Sequence, residues 1–582
     1  MGRRRNAAEL FCECLSNLGV QVVFGVPGTQ SLALYDALRR ARFRTVTACS
    51  EAGALWMANG YYRASGRPGV GVTIGGPGFA LGLPGLAEAR SDSAAVLHVV
   101  CTAEKKAGRS FQFQELDINA ISSRVAKSVY RISSPEMLWN TVSKAYRESL
   151  SGEPGPVVLD FPAPVMKSES PSPGKDPEGL QPPGPSVDAD TFNSIITKLV
   201  GSRKPVLMIG QGAVDAAGDV VRLAESLNAP VITNCSGRGI VPDCHRLLVG
   251  SDFSGWGVDL VNELLAESDC IAVLGCKLSH NGSSGFELLL PIEKTIRVDA
   301  SRESLDANYR VGTAVHGDVR SVIPVLLKEI GGLRATPRGW ADAEVSVWKK
   351  RFAEKRKVSV PQTTEPDMPG MTGVEELFDQ LGKILPDDAI VVTDCGLHQI
   401  LTRRSMATNR PRGLIAPSDF QSMGFGVPAA IGARYGTPAR PVVAIIGDGG
   451  LAVTGFELLT AVREGVDLVV IVFCDGYLGQ IRADQLRGFG ADFGTVVGKI
   501  NLEAFSGSVG ARYVELSDGF PAGLEAAVNM TGVRVLGLRL KDTPQVRAMA
   551  LERSIRSRVR DIPGVNELRK LARRLRKRSS GD

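Results

Sequence analysis

The stretch IIGDGGLAVTGFELLTAVREGVDLVVIVFCDGYLG, residues 445–479, sets two acidic residues at the ends of two apolar runs. Asp448 stands in a glycine turn behind the first run, and Asp475 follows the second. Residues 450–473, which lie between Gly449 and Cys474, number 24. That is one helix plus one strand, the crossover that joins parallel neighbours. Such turns sit at the carboxyl ends of a parallel sheet, where ligands bind in open α/β folds. The glycines let the backbone come close to a phosphate. Two carboxylates beside a phosphate cradle suit Mg²⁺, which takes one or two carboxylates plus substrate phosphates. A pair of ordinary turn aspartates is the alternative reading of the same spacing.

Outward from this stretch, apolar runs and helical patterns alternate in three blocks, which predicts parallel α/β structure throughout. The first block, 1–167, has strand candidates VQVVFGV, PGVGVTIG, AAVLHVVC and GPVVLDF. The segment 168–186 is rich in Pro, Gly and charge and reads as a linker. The second block, 187–335, has PVLMIG, PVITN, CIAVLG and KTIRVDA. A polar, Pro-containing stretch then runs through VSVPQTTEPDMPG. The third block, 371–545, has AIVVTD, VVAIIGD, LVVIVF and VRVLGLRL, and a basic helical tail follows over 546–582. The fold class expected is three parallel-sheet α/β domains plus that tail.

The bulk properties agree. A chain of 582 residues allows about three or four domains. Formal net charge is +6, but residues 547–582 alone hold twelve Lys/Arg against four Asp/Glu, a local +8, which leaves about −2 for the rest. The body is therefore not a basic nucleic-acid binder, and only the tail invites an acidic partner, a nucleic acid or an anionic membrane surface. A solvated helix is the plainer reading of that tail. The ten Cys show no disulfide or zinc spacing. Reduced thiols in a cytoplasmic protein are expected. Residues 1–11, MGRRRNAAELF, lead straight into an amphipathic helix, so neither a signal peptide nor a membrane span is expected.

The opening segment resembles the diphosphate-binding motif of thiamine-diphosphate-dependent enzymes: Gly-Asp-Gly, about two dozen residues, then usually Asn-Asn. The longer run from Ile431 and Gly432 through Pro438 to Gly447-Asp448-Gly449-Gly450 fits the same signature. The resemblance implies thiamine diphosphate and Mg²⁺, with Asp448, Asp475 and the Tyr477 carbonyl on the metal. It places Gly447, Gly449, Gly450, Leu478 and Gly479 against the cofactor. Cys474-Asp475 departs from the usual Asn-Asn.

Such a cofactor must lose a proton to become a nucleophilic ylide. In this family a Glu beside the aminopyrimidine promotes that loss. TACSEAGALWMANGYYRASGRPGVGVTIGGPGFALGLPGLAEA resembles the family's pyrimidine-binding region and assigns the role to Glu51. The alternative for Glu51 is a helix-start residue near the dipole's positive end. FGVPGTQSLALYDAL brings Pro27 and Gly28 to the pyrimidine by the same resemblance. Ser50 and Leu81 depart from the usual His and Asn.

SFQFQELD resembles the Phe-Gln-Glu of acetolactate synthase-like members and nominates Phe113 and Gln114 on the substrate side. Lys127, in RVAKSVYRI, is matched to an active-site Lys of that group. TDCGLHQILTRRSM resembles its loop over the diphosphate, which nominates Gly396, His398 and Gln399. QSMGFGVPAAIGA makes Met423 the apolar wedge that keeps the cofactor bent. Core packing and solvated faces are the plain alternatives for Phe113, Lys127, His398 and Met423. Two acceptor-pocket positions differ: Asp484 stands where the branched-chain enzymes have Trp, and Asn281 where they have Arg.

The resemblance covers about residues 6–545. It implies decarboxylation of a pyruvate-like 2-oxo acid and carboligation of the resulting enamine to a second carbonyl compound. A homodimer or homotetramer is implied, with each site between the first domain of one subunit and the third of another. FAD in the middle domain is left open, with an empty structural domain as its alternative. Other fates on the same cofactor are simple decarboxylation, oxidation or hydrolysis of a cyclic dione. A non-catalytic cofactor-binding homologue is a further reading.

Overall fold

The computed structural model describes residues 5–104, 106–170, 189–332, 339–356, 374–514, 516 and 520–539. The basic tail expected over 546–582 lies outside them, as does most of the expected linker.

Three six-stranded sheets follow one another along the chain. The first holds β1 (Val22–Gly25), β2 (Arg44–Thr47), β3 (Gly69–Ile74), β4 (Val96–Thr102), β5 (Ser128–Arg131) and β6 (Val157–Pro162). The second holds β7 (Pro205–Ile209), β8 (Val231–Thr233), β9 (Leu248–Ser251), β10 (Cys270–Leu274), β11 (Thr295–Asp299) and β12 (Thr313–His316). The third holds β13 (Ile390–Thr393), β14 (Leu414–Ile415), β15 (Val442–Gly447), β16 (Leu468–Cys474), β17 (Arg512–Val514) and β18 (Val533–Arg539). Every strand pairing within the sheets is parallel. The α/β class expected from the alternating blocks is the class observed.

The first sheet runs β2-β1-β3-β4-β6-β5 and the third β14-β13-β15-β16-β18-β17, which is the same order. The middle sheet runs β12-β11-β10-β7-β8-β9, the order of a doubly wound dinucleotide fold. In each, the chain reverses direction across the sheet beside its first strand. The crevice at that point opens between β1 and β3, between β7 and β10, and between β13 and β15.

Each sheet gains two strands over the four visible as apolar runs, and all six extra strands are edges. A helix, Asp342–Arg356, also forms between the second block and the Pro-containing stretch, outside the three blocks. Its buried face is only Val345, Trp348 and Phe352, a spacing too sparse to stand out from the charged residues around it.

The first and third domains share one core. Helices Glu51–Ser65 and Gly426–Gly436 cross in direct backbone contact. A Cβ on Gly60 would run into the Ala429 carbonyl oxygen, and one on Gly432 into that of Met57. Glycine at both positions is what lets the helices touch. Among the described residues no helix is long and apolar enough to cross a membrane.

Candidate active site

Parallel pairing of β15 and β16 sets Gly447 opposite Phe473, so both acidic residues leave the sheet at one edge. Asp448 opens the helix Asp448–Thr454, and Asp475 begins the loop after β16. Asp448 accepts the N–H of Gly449 on Oδ1 at 2.9 Å and that of Gly476 on Oδ2 at 2.7 Å. Asp475 Oδ1 accepts from the N–H of Tyr477 at 2.9 Å. A Cβ on Gly479 would run into Asp475 Oδ2, so glycine keeps that oxygen clear.

Burial pushes the Asp475 carboxyl up to about 6, and the charge of Asp448 adds to the rise. Burial raises Asp448 as well, against the pull of its N–H donors. Two crowded carboxylates are a donor set that a hard divalent cation relieves. Among the described residues no third His, Cys, Asp or Glu joins a metal cluster. The remaining ligands would have to be carbonyls, waters or phosphate, the usual surroundings of Mg²⁺.

The loop after Asp475 is clamped. Tyr477 bridges Val496, Leu478 donates to the Thr495 carbonyl, and Val497 donates to that of Gly476. A Cβ on Gly449 would lie 3.2 Å from Leu478 Cδ2 and 3.6 Å from Met423 Sδ. Gly449 is thus the floor between two apolar walls. His398 stands over Gly447, where a Cβ would be 3.1 Å from its Nδ1. Burial lowers the imidazole to about 4, so it is neutral at pH 7. Its ring bonds the Asp394 backbone, while Nε2 is buried without a partner. Gly396, at φ 142°, starts the helix Leu397–Ser405 that carries it. Gln399 is turned elsewhere and donates to the Pro417 carbonyl at 2.9 Å.

Asp394 was not among the expected residues. It is buried at the end of β13, and it accepts from Cys395 at 2.7 Å and from Gly424 at 3.0 Å. Burial lifts it to about 6. The signal was present: AIVVTD ends in Asp after an apolar strand, as IIGD and VFCD do.

The other half lies at the carboxyl edge of the first sheet. Glu51 is the first residue of its helix, behind the N-cap Ser50. Its Oε1 is 3.1 Å from where a Cβ on Gly78 would stand. Pro27 is exposed in the loop after β1, and Gly28 packs on Ile74 at the end of β3. The side chains of Gln114 and Gln30 are hydrogen-bonded, and Gly76 lies against the Gln114 backbone. Phe113 is 72% exposed beside them. The turn into Glu51 is held from the third domain, where the Glu457 carboxylate accepts the N–H groups of Cys49 and Ser50 at 3.1 Å.

Lys127 is a correction. It precedes β5 at the amino end of the strand, the far side of the sheet from these loops. Its ammonium donates to the carbonyls of Glu148 at 2.7 Å, Glu153 at 2.9 Å and Ser151. It caps the helix Pro135–Leu150 and is not brought to the substrate side. Among the described residues no hydrogen bond or ion pair joins Glu51 to Asp448 or Asp475.

A second cleft opens at the reversal of the middle sheet. The turn there does not suit a dinucleotide. The Gly212 N–H is spent on the Gly275 carbonyl at 2.9 Å, and a short 3₁₀ segment, Gln211–Ala216, stands where a helix N-terminus would meet phosphate. The four basic lining residues are already paired: Lys277 with Glu153, Arg320 with Asp318, Arg403 with Asp252 and Arg412 with Asp215. Asp299 and Asp419 add negative charge to the lining. Asn281, on the same cleft, donates through Nδ2 to the Ser418 carbonyl and through its N–H to Asp419, both at 2.8 Å.

Three family models match in order: thiamine pyrophosphate enzyme, N-terminal TPP binding domain, over residues 5–121; the central domain of the same enzymes over 192–326; and their C-terminal TPP binding domain over 394–537. The chain is 28% identical to acetolactate synthase isozyme 1 large subunit of Escherichia coli, over 94% of this chain and 96% of that one. It is 30% identical to a probable acetolactate synthase large subunit of Methanocaldococcus jannaschii, over 83% and 82%. It is also 30% identical to the probable 2-ketoarginine decarboxylase AruI of Pseudomonas aeruginosa, over 82% and 84%.

Proposed function

Because the chain belongs to the thiamine pyrophosphate enzyme family, as an acetolactate synthase-like enzyme, we propose that it decarboxylates a pyruvate-like 2-oxo acid and joins the remaining fragment to a second carbonyl compound. The observation that carries this reading is the pair Asp448 and Asp475, crowded at one sheet edge over a glycine floor. Bound thiamine diphosphate supplies a carbon nucleophile and a sink for the electron pair that CO₂ leaves behind.

In this reading Asp448, Asp475 and the Tyr477 carbonyl hold Mg²⁺ on the diphosphate. Gly447 and Gly449 let the backbone come close to the phosphates, Gly450 and Gly479 leave room for the Asp394 and Asp475 carboxyls, and neutral His398 faces the phosphates without adding charge. Leu478 and Met423 wall the ring between them. Pro27 and Gly28 border the pyrimidine, and Glu51 moves the proton on that side. Phe113 and Gln114 line the substrate side.

The two halves come from different subunits of a homodimer or homotetramer. Phe113 at 72%, Phe456 at 62%, Leu81 at 60% and Met423 at 40% are exposed in the single chain, and a second copy covers them. A flavin is not part of this reading, since the Gly212 N–H and the four basic residues that line the middle cleft are already paired. The ten free cysteines fit a cytoplasmic location.

Release of the fragment as an aldehyde is the second reading. It is favoured by Asn281, which is tied to Ser418 and Asp419 where the carboligases carry an Arg for the acceptor carboxylate. One experiment separates the two. CO₂ release from pyruvate is followed with and without thiamine diphosphate plus Mg²⁺, and products are read by NMR. A cofactor-dependent ketol supports carboligation, acetaldehyde supports simple decarboxylation, and no turnover of any 2-oxo acid by cofactor-loaded protein refutes both.

A further inference from the structure

The segment that carries Met423 is a strap held at every second residue. Arg63 Nη1 donates to the Ala416 carbonyl at 2.6 Å. Ser418 N–H donates to Asp92 Oδ1 at 3.0 Å and Phe420 N–H to Ser91 Oγ at 3.1 Å. Ser422 N–H donates to Glu88 Oε2 at 2.7 Å, and Gly424 N–H to Asp394 at 3.0 Å. The first four partners belong to the first domain and the last to the third.

Met423 therefore stands between two N–H groups, each bonded to a buried carboxyl oxygen. The strap needs such holding. Gln421 has φ +62°, a conformation that a residue with a side chain adopts at a cost. Gly424 is at φ +95°. On the Gly424 side the strap is fixed twice, by Asp394 and by Thr454 Oγ1 on the Gly424 carbonyl at 2.7 Å. On the Ser422 side the hold comes from Glu88.

We propose that Glu88 is a positioning residue: its carboxyl oxygen, opposite Asp394, fixes the backbone beside Met423 and so sets that side chain over the Gly449 floor. The inference rests on the role given above to Met423. Glu88 is fully buried near the end of the helix Pro77–Ser91. An apolar residue would fill the space without the cost of burying a polar group there. The upstream part of the strap is already secured by Arg63 and Asp92, an ion pair at 3.0 Å. What Glu88 adds is local to the Met423 end.

Two measurements on the full-length protein test this. The first is amide hydrogen exchange of the cofactor-free protein over residues 420–425. Glu88→Leu is expected to speed exchange there by about tenfold or more, and Glu88→Gln, which keeps an acceptor oxygen, to restore most of the protection. The second is deuterium exchange at the thiazolium C2 of bound thiamine diphosphate, quenched in acid and read by NMR. Glu88→Leu is expected to slow it by about 10- to 100-fold with KM for the 2-oxo acid little changed. Should the leucine variant fail to fold, Glu88→Asp withdraws the acceptor by one methylene and is read the same way. Unchanged amide protection in folded Glu88→Leu or Glu88→Asp overturns the proposal. Met423→Ala is the control: if it leaves C2 exchange untouched, the role of Met423 is wrong, whereas slowed exchange in Met423→Ala with normal exchange in the Glu88 variants removes Glu88 alone.

Discussion

The N–H of Gly476 reaches Asp448 Oδ2 at 2.7 Å, so the loop after one strand is drawn onto the carboxylate that follows its neighbour. This bond sets Asp475 beside Asp448, whose charge adds to the rise that burial gives the Asp475 carboxyl, to about 6. A cation binds the ionised pair. Mg²⁺ affinity should therefore fall as pH drops through about 6, where Asp475 takes up a proton. Asp475→Asn keeps an oxygen ligand with no proton to gain. Its Mg²⁺ titrations at pH 5.5 and 7.5 should differ less than those of the parent, and an equal pH effect in both proteins would count against the assignment.

Glu51 heads its helix with Gly78 cleared beside its carboxylate. Glu51→Gln keeps the shape and loses the proton. The expected result is a kcat lower by about 100- to 10,000-fold, with thiamine diphosphate affinity changed only a few-fold. Steady-state rates and a binding titration on one preparation check this. Loss of affinity with kcat intact would make Glu51 a binding residue.

Lys127 gives its ammonium to three carbonyls at the end of the helix Pro135–Leu150. Lys127→Met should cost about 1.5–3 kcal/mol of stability, the scale of hydrogen bonds to a charged group. The ratio kcat/KM at a permissive temperature should not move. Denaturant unfolding alongside kinetics distinguishes this from an active-site lysine, whose loss would do the reverse.

Glu88 carries a pH signature. Burial first, then the charge of Asp92, pushes its carboxyl up to about 8 from an ordinary value of 4.5. Between those values the folded chain keeps a proton that the unfolded chain releases, so this group's contribution to stability falls as pH rises through that window. Glu88→Gln removes the contribution. Melting temperatures at pH 5.5 and 8.5 should lie closer together in the variant than in the parent. An identical difference in both would show that Glu88 ionises normally in the fold.

The central strands were legible because parallel strands covered on both faces read as unbroken apolar runs, as in VVAIIGD and LVVIVF. The edges were not. β2 (RTVT) and β12 (TAVH) are half-exposed, and β14 has only two residues, so none offers a run or a clean alternation. The cradle was legible because two aspartates end two apolar runs one crossover apart, at a spacing that resembles the family's signature. Lys127 misled because its match was positional, and sequence spacing does not say which end of a sheet a residue faces. The Met423 strap was invisible because its partners, Arg63, Glu88, Ser91 and Asp92, lie more than 300 residues away in the chain.

The central claim is that each site takes Glu51 from one subunit and Asp448 from another. Glu51→Gln and Asp448→Ala chains, each inactive alone, can be co-expressed with different tags and the mixed dimers isolated with thiamine diphosphate and Mg²⁺ present. In a mixed dimer one site holds both altered residues and the other holds neither. Random pairing should thus restore about one quarter of the unaltered activity, and purified mixed dimers about one half. No recovery in the mixed dimer, with both variants folded and assembled, would contradict a site shared between chains.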